Sequence, residues 1–293
     1  MKSDPTFIKI AISFAILSAL FFVLERFQGR GRGLPFLRRG WGVDTCFWFF
    51  TPLVTKWLTR LSLILPLAIC IAFGGTTIEA FKSGAYHGFG PLSRQPIWLQ
   101  IVEIYLLADF IGYWSHRLFH RRGWWPFHAV HHSSEDLDWL SSVRVHPVND
   151  LVSKLCQVTP ILLLGFNPFV TLSAAPVFTF YAIFVHANVN WDLGPLRGMV
   201  ATPVFHRWHH SKDREAWNKN FGSLFAFWDR IFGTYYMPAD RLPGNFGIPE
   251  AFPKDFVGQL LKPFARRPQK PAQTLPNAGS DCKTPLSGQS IVP

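Results

Sequence analysis

The sequence predicts an all-α integral membrane protein, a helical bundle of about four to five spans, and three observations point there. Hydrophobic residues make up 48% of the 293 and charged residues only 16%, with 29 Phe and 12 Trp. Soluble domains carry about 25% charged residues, so this excess of apolar surface calls for lipid. The apolar residues fall in runs approaching the ~20 that cross a bilayer as a helix. Ten of the eleven histidines lie between His116 and His210, mostly at separations of three and four, which a helix brings to one face.

The elements follow in order. Phe7 to Leu24 holds a single charge, Lys9, and its roughly eighteen residues sit at the lower limit of a spanning helix. No small-residue cleavage site precedes Glu25 and Arg26, so a retained helix is expected rather than a signal peptide. Cys46 to Phe73 carries Pro52, Lys56 and Arg60 in its first half, and its apolar second half is too short to span alone. Ile97 to Tyr113 is a third span, ending at the first histidines. Leu151 to Val185 is interrupted by Pro160, Gly165, Pro168 and Pro176, a pattern of two helices in a hairpin. From about Lys262 onward, prolines with Ser, Gly and Gln read as a disordered tail. Three regions are expected: 1–95, N-terminal spans and basic linkers; 96–240, the histidine-bearing body; and 241–293, a proline-rich tail.

Arg26, Arg30, Arg32, Arg38 and Arg39 follow the first span and place that linker in the cytoplasm. Counting spans from there puts all the histidine clusters on the cytoplasmic face, in a helical cap. The net charge of +11 is spread over juxtamembrane linkers and the tail; it fits attraction to anionic headgroups and argues against a nucleic-acid partner. Cys46, Cys70, Cys156 and Cys282 lack paired spacing and read as small apolar residues rather than disulfides.

His116 and His120 in HRLFH lie four apart; His128, His131 and His132 in HAVHH, and His206, His209 and His210 in HRWHH, repeat one another's spacing. Eight clustered imidazoles exceed what one ion takes, about four ligands for zinc or six for an octahedral ion, so a dimetal site is expected. His146 in RVHP and His186 in VHAN are candidates to complete it. Imidazole suits iron or zinc over magnesium or calcium. His87 stands apart beside Gly88 and Gly90 and reads as structural. Asp109, Glu135, Asp138 and Asp192 are candidates to orient ligand rings through their second nitrogens; Asp109 alternatively caps, or pairs with Arg117 or Arg144. Asn220 and Asp229 can support the last cluster or be an ordinary turn residue and a surface ion pair. Trp114, Trp124, Trp125, Phe127 and Trp139 fit a lipid channel or, especially Trp124 and Trp125, an interfacial belt.

These motifs resemble those of the fatty acid hydroxylase and sterol desaturase superfamily. The resemblance runs through DFIGYWSHRLFHRRGWWPFHAVHH at 109–132, WLSSVRVHP at 139–147, VHANVNWDLGPLR at 185–197 and TPVFHRWHHSKD at 202–213, then NKNFG and FWDRIFGT. It covers roughly Pro96 to Tyr236. It implies two non-haem iron ions held by the eight clustered histidines with His186 and His146, dioxygen as cosubstrate, and hydroxylation or desaturation of a sterol-like, fatty acyl or related lipid. With no cytochrome-like domain recognisable in the sequence, reducing equivalents are expected from a separate electron-transfer protein. Asn149 stands where similar proteins can carry an acid. Short termini without an added retention signal suggest a bacterial cytoplasmic membrane. Two other classes use clustered histidines: a dizinc lipid hydrolase, which ordinarily adds bridging carboxylates, and a haem-binding electron carrier, which needs lone histidines on facing helices.

Overall fold

The computed structural model describes residues 5–28, 35, 37–74, 79, 88 and 91–265; His87, Cys282, Arg30 and Arg32 lie outside them. Among the described residues every regular element is a helix, and the one β-type pairing is an isolated bridge between Ser211 and Phe246. The expected apolar runs appear as α1 (Pro5–Gln28), α2 (Trp41–Gly74) and α3 (Ile97–Phe119). The helices α1 and α3 are long and apolar enough to cross a membrane.

The C-terminal half of α1 is held by side-chain contacts. Phe21 buries against Trp139, their rings stacked 5.4 Å apart, while Ile12, Ile16, Leu20 and Phe27 remain exposed. A helix with large apolar side chains on its outer face is unstable in water and suited to acyl chains. At its C-terminal end, the buried Glu25 Oε1 accepts the backbone N–H groups of Asn188, at 2.8 Å, and Trp139, at 3.2 Å. Trp139 is therefore a core residue, neither a channel wall nor a belt residue.

With 34 residues, α2 is about 51 Å long at ~1.5 Å per residue, well over the ~30 Å hydrocarbon thickness. Its first turns belong to the cap: Asp44 is fully buried and receives Arg38 at 2.7 Å and Arg144 Nε at 2.5 Å. Arg38 also reaches Asp138, and Ser141 Oγ at 2.9 Å. Two arginines against two aspartates leave no net charge. Such buried pairs add little stability, because desolvation offsets the attraction, but they fix register; here they lock the start of α2 onto residues 138–144. Gly40 has φ +78°, and a Cβ there would stand 2.7 Å from Arg144 Nη2.

The expected break in 151–185 appears as two helices, α5 (Pro147–Leu163) and α6 (Pro168–Phe184), after the short α4 (Trp125–His132); both pack on α3 rather than chiefly on each other. Gly165 at φ +76° turns the chain, and Asn167 caps α6 by accepting Phe169 N–H at 2.9 Å. Pro160 and Pro176 lie inside these helices rather than ending them. Three short helices follow: α7 (Pro203–His209), α8 (Phe227–Ile231) and α9 (Phe256–Leu261). Residues 241–265, expected with the tail, are described; in α9, Phe256 sets its ring 4.8 Å from Phe47 and 5.2 Å from Phe50. Cys46 and Cys156 are free thiols.

Candidate metal centre

Each histidine cluster sits where a helix ends. His116 lies on the last turn of α3, and His120 is its C-terminal cap. The triplet His128, His131 and His132 occupies the second half of α4. Helix α7 starts at Pro203, with Thr202 Oγ1 accepting Phe205 N–H at 3.1 Å, and carries His206 and His209 to a cap at His210. His186 follows the end of α6. The separations of three and four do what the sequence predicts: every cluster turns its rings inward.

Two groups result, His116, His120, His128, His132 and His209 in one, and His131, His186, His206 and His210 in the other. In the first, His128 Nε2 is 3.1 Å from His116 Nε2 and 3.2 Å from His132 Nε2. In the second, His186 Nε2 is 3.2 Å from His131 Nε2 and 3.1 Å from His206 Nε2, itself 3.1 Å from His210 Nε2. The groups adjoin: the His132 and His210 rings stack with centroids 4.3 Å apart. Two nitrogens bound about 2.1 Å from one ion at a right angle stand about 3.0 Å apart, so the spacing suits coordination.

Protonation decides whether these close approaches are hydrogen bonds. Burial pushes the pKa of His128, His131, His132, His206, His209 and His210 well below the ordinary value, and that of His186 down to about 4. A neutral ring has one N–H, and its partner fixes which nitrogen carries it. With Nδ1–H as donor, His116 bonds Phe221 O at 2.9 Å, His128 bonds Asn149 Oδ1 at 2.8 Å, and His131 bonds Arg144 O at 3.3 Å. His186 likewise donates to Ala182 O at 2.6 Å, and His209 to Lys219 O at 2.7 Å. The Nε2 atoms of His116 and His128, and of His131 and His186, therefore meet as pairs of lone pairs at hydrogen-bond distance, which repel unless a cation lies between them. The Nε2 atoms of His120 and His209 are buried without any hydrogen-bond partner. Buried polar atoms are rarely left so, and an all-imidazole donor set with orphaned lone pairs fits a pair of transition-metal ions.

Backbone carbonyls orient four of these rings, those of His116, His131, His186 and His209, and among the described residues no carboxylate bonds any of the nine. Asp109 touches no histidine and pairs with neither Arg117 nor Arg144; its carboxylate accepts the N–H groups of Ser223, Leu224 and Phe225 at 3.3, 2.8 and 2.9 Å. Asp229 accepts Phe221 N–H and Gly222 N–H, both at 2.8 Å. It is buried rather than a surface ion-pair partner, and burial raises its pKa. Together these two carboxylates shape the turn whose Phe221 carbonyl faces His116. Asn220 holds Phe205 O at 2.9 Å and Tyr236 O at 2.7 Å, bracing the start of the last cluster. Glu135 pairs with exposed Arg39, Asp138 caps residues 139–143, and Asp192 bonds Gly194 N–H; none reaches a ring.

His146 joins neither group. Its Nδ1 accepts Val148 N–H at 3.1 Å as the cap of α5, and its Nε2 donates to Leu260 O at 3.1 Å. Both nitrogens are in use, which removes it from the expected ligand set. Asn149, one turn further on, is the residue that reaches the centre. Trp125 sets its ring 5.2 Å from His120 and 5.3 Å from His132, a wall of the centre rather than part of a belt. Phe221 stands edge-on to His120 at 5.0 Å, and Phe119 stacks on His128 at 5.7 Å.

Residues 101–234 match the model of the fatty acid hydroxylase family. Over 187 residues the chain is 34% identical to the ornithine lipid hydroxylase OlsE of Rhizobium tropici, covering 64% of this chain and 56% of that protein. Over 126 residues it is 33% identical to human alkylglycerol monooxygenase, covering 43% of this chain and 28% of that one. It is also 29% identical over 169 residues to the C-4 methylsterol oxidase erg25 of Schizosaccharomyces pombe, covering 55% and 52%. The chain thus matches from about a quarter to somewhat over half the length of these relatives. No solved structure matches it.

Proposed function

Because residues 101–234 match the model of the fatty acid hydroxylase family, we propose that the chain is a membrane-bound di-iron oxidoreductase that uses dioxygen to oxidise a lipid hydrocarbon. The observation that carries this reading is the convergence of nine buried or half-buried histidines into two adjoining groups with facing lone pairs. The five-histidine group exceeds the four ligands zinc usually takes. Among the described residues no carboxylate or thiolate joins either group, which disfavours the dizinc hydrolase. The 4.3 Å stacking of His132 on His210 leaves no gap for a macrocycle and disfavours haem. The relatives' names favour oxygen insertion over desaturation, and a lipid chain as substrate.

His116, His120, His128, His132 and His209 would hold one iron, and His131, His186, His206 and His210 the other. Iron bound there supplies the redox chemistry that dioxygen activation at an unactivated C–H bond requires. The residues of the chain do the rest. The Phe221, Arg144, Ala182 and Lys219 carbonyls and Asn149 Oδ1 keep Nδ1 of His116, His131, His186, His209 and His128 protonated and their Nε2 lone pairs inward, a preorganisation that sets ligand orientation. Phe119, Phe221 and Trp125 wall the centre with apolar rings and exclude water from it. The exposed faces of α1 and α3 keep the protein in the phase where its substrate dissolves. Electrons come from a separate protein.

The bundle is placed in a cytoplasmic membrane, as in a bacterium such as the Rhizobium relative's host, with the histidine groups on the cytoplasmic face. Arg39 bonds Asp136 and Arg38 bonds Asp138, which supports putting the basic linker and the second histidine cluster on one side. Four to five spans remain our count, with α2 and the pair α5 and α6 added to α1 and α3. The test is metal content of detergent-purified protein, an optical spectrum, and dioxygen uptake after anaerobic reduction with membrane lipid present. Near two irons per chain, no Soret band and a lipid product heavier by one oxygen are expected; two zincs that iron cannot replace would overturn the reading.

A further inference from the structure

The first histidine group approaches the surface through His120 and His209. His116 is bonded to the buried Phe221, and His128 to the buried Asn149. In contrast, His209 donates to the carbonyl of half-exposed Lys219, and the side chain of exposed Asn218 lies against the His120 ring and favours its protonated form. Asn218 and Asn220 both take left-handed conformations, φ +56° and +59°, which cost non-glycine residues energy although asparagine tolerates them best. These turns aim the Lys219 carbonyl at His209. Thus one imidazole and one hydrogen bond separate the buried lone pairs from a residue at the surface.

That approach opens on basic ground. Arg121 and Arg122 follow His120 directly and are exposed, as is Arg214, and Lys219 adds a fourth positive charge. The nearby acids Asp213 and Glu215 are both engaged by Arg241. Trp125, partly exposed beside Arg121 and Arg122, touches His120 and His132. Positive charge alone also suits anionic lipid headgroups. A headgroup has no use for a hydrogen-bonded link to the metal-binding histidines, however, and an electron donor does.

We propose that the surface carrying Asn218 and Lys219, with the exposed Arg121, Arg122 and Arg214 of the adjoining segments, is the docking site of an acidic one-electron carrier protein, and that electrons enter through the His120 and His209 side of the centre. The inference rests on the oxygenase reading above. Each docking oxidises the carrier by one electron. Two dockings supply the two electrons that, with two protons, convert RH + O2 to ROH + H2O. Opposite charges on the two proteins speed the encounter and make it sensitive to salt.

The test uses full-length, iron-loaded protein in nanodiscs and, as probe, a plant-type [2Fe–2S] ferredoxin, an acidic carrier. Anaerobic reduction of the iron by reduced ferredoxin is followed by stopped flow, beside reduction by dithionite with methyl viologen, which needs no docking. Binding of oxidised ferredoxin is measured separately and does not depend on turnover. We expect the double variant Arg121→Glu/Arg122→Glu, and independently Arg214→Glu, to slow reduction by ferredoxin about tenfold or more and weaken its binding to a similar degree. Iron content and the viologen-driven rate should stay unchanged, and the salt dependence should flatten. Equal losses with viologen, no loss with ferredoxin, or a wild-type protein that ferredoxin cannot reduce though viologen can, would each overturn the docking site. So would variants whose only change is weaker association with anionic-lipid vesicles. Failure of the wild type to take electrons from viologen as well would instead strike the oxygenase reading.

Discussion

Replacing His146 by alanine separates a metal ligand from a helix cap. His146 Nδ1 accepts Val148 N–H at 3.1 Å and Nε2 donates to Leu260 O at 3.1 Å. Loss of an N-cap costs about 1 kcal/mol, and loss of a hydrogen bond leaving a buried partner about another 1 kcal/mol. A total near 2 kcal/mol lowers the melting temperature by about 4–8 °C at roughly 2–4 °C per kcal/mol for a chain of this order of size. His146→Ala should therefore melt earlier yet keep its full complement of metal, measured by mass spectrometry on protein purified below the transition. His146→Asn, which restores a capping oxygen, should recover part of the melting temperature. The reasoning is refuted if His146→Ala loses metal as completely as His131→Ala.

Three further outcomes are expected. His128→Ala and His209→Ala should each lose metal at neutral pH, because each removes a donor from the first group; full occupancy in either would remove that residue from the ligand set. Asn149→Leu, alike in branching, strips the acceptor from His128 Nδ1–H and should weaken metal retention in chelator competition by about 10–100-fold while costing about 1–3 kcal/mol of stability; unchanged retention would show that Asn149 orients nothing. Stability of the metal-free protein should fall with acid. The buried histidines titrate below the unfolded value of about 6.5, His186 at about 4, so below pH 6.5 the unfolded chain binds more protons, at about 1.4 kcal/mol per pH unit for each such histidine until its folded value is reached. Melting curves flat between pH 6.5 and 4 would contradict the neutral-ring assignment.

Much of the centre is legible in the sequence because its information is local. Spacings of three and four within HAVHH and HRWHH fix ring direction once helices form, and the prolines of 151–185 mark the break between α5 and α6. His146 is misread although the signal is present. A residue before proline is held extended, here at φ −69° and ψ 139°, which makes His146 the natural cap of the helix Pro147 begins and turns its ring away from the helix axis. Asp109 and Asp229 are a different matter. Asp109 acts on backbone 114–116 positions away, and no periodicity encodes such a pairing. Arg38 shows the same limit: counted as a topology signal, it proves to be a buried partner of Asp44 and Asp138. Its neighbour Arg39 is exposed, so the charge rule keeps part of its support.

Glu25 sets an order on biosynthesis. Its acceptor atom serves Asn188, 163 positions later in the chain. At roughly 5–20 residues per second, the ribosome needs about 8–33 s to make that partner after α1 has been synthesised. Until Trp139 and then Asn188 are made, the carboxyl group at the end of this apolar helix lacks one or both of its donors, an arrangement costly inside a bilayer unless the group stays near the headgroups. The last histidine, His210, emerges later still. Docking of the first helix thus waits for residues far beyond it, and the two histidine groups are complete only once His210 has been made, so a metal ion would meet the full donor set only in a chain already synthesised through His210.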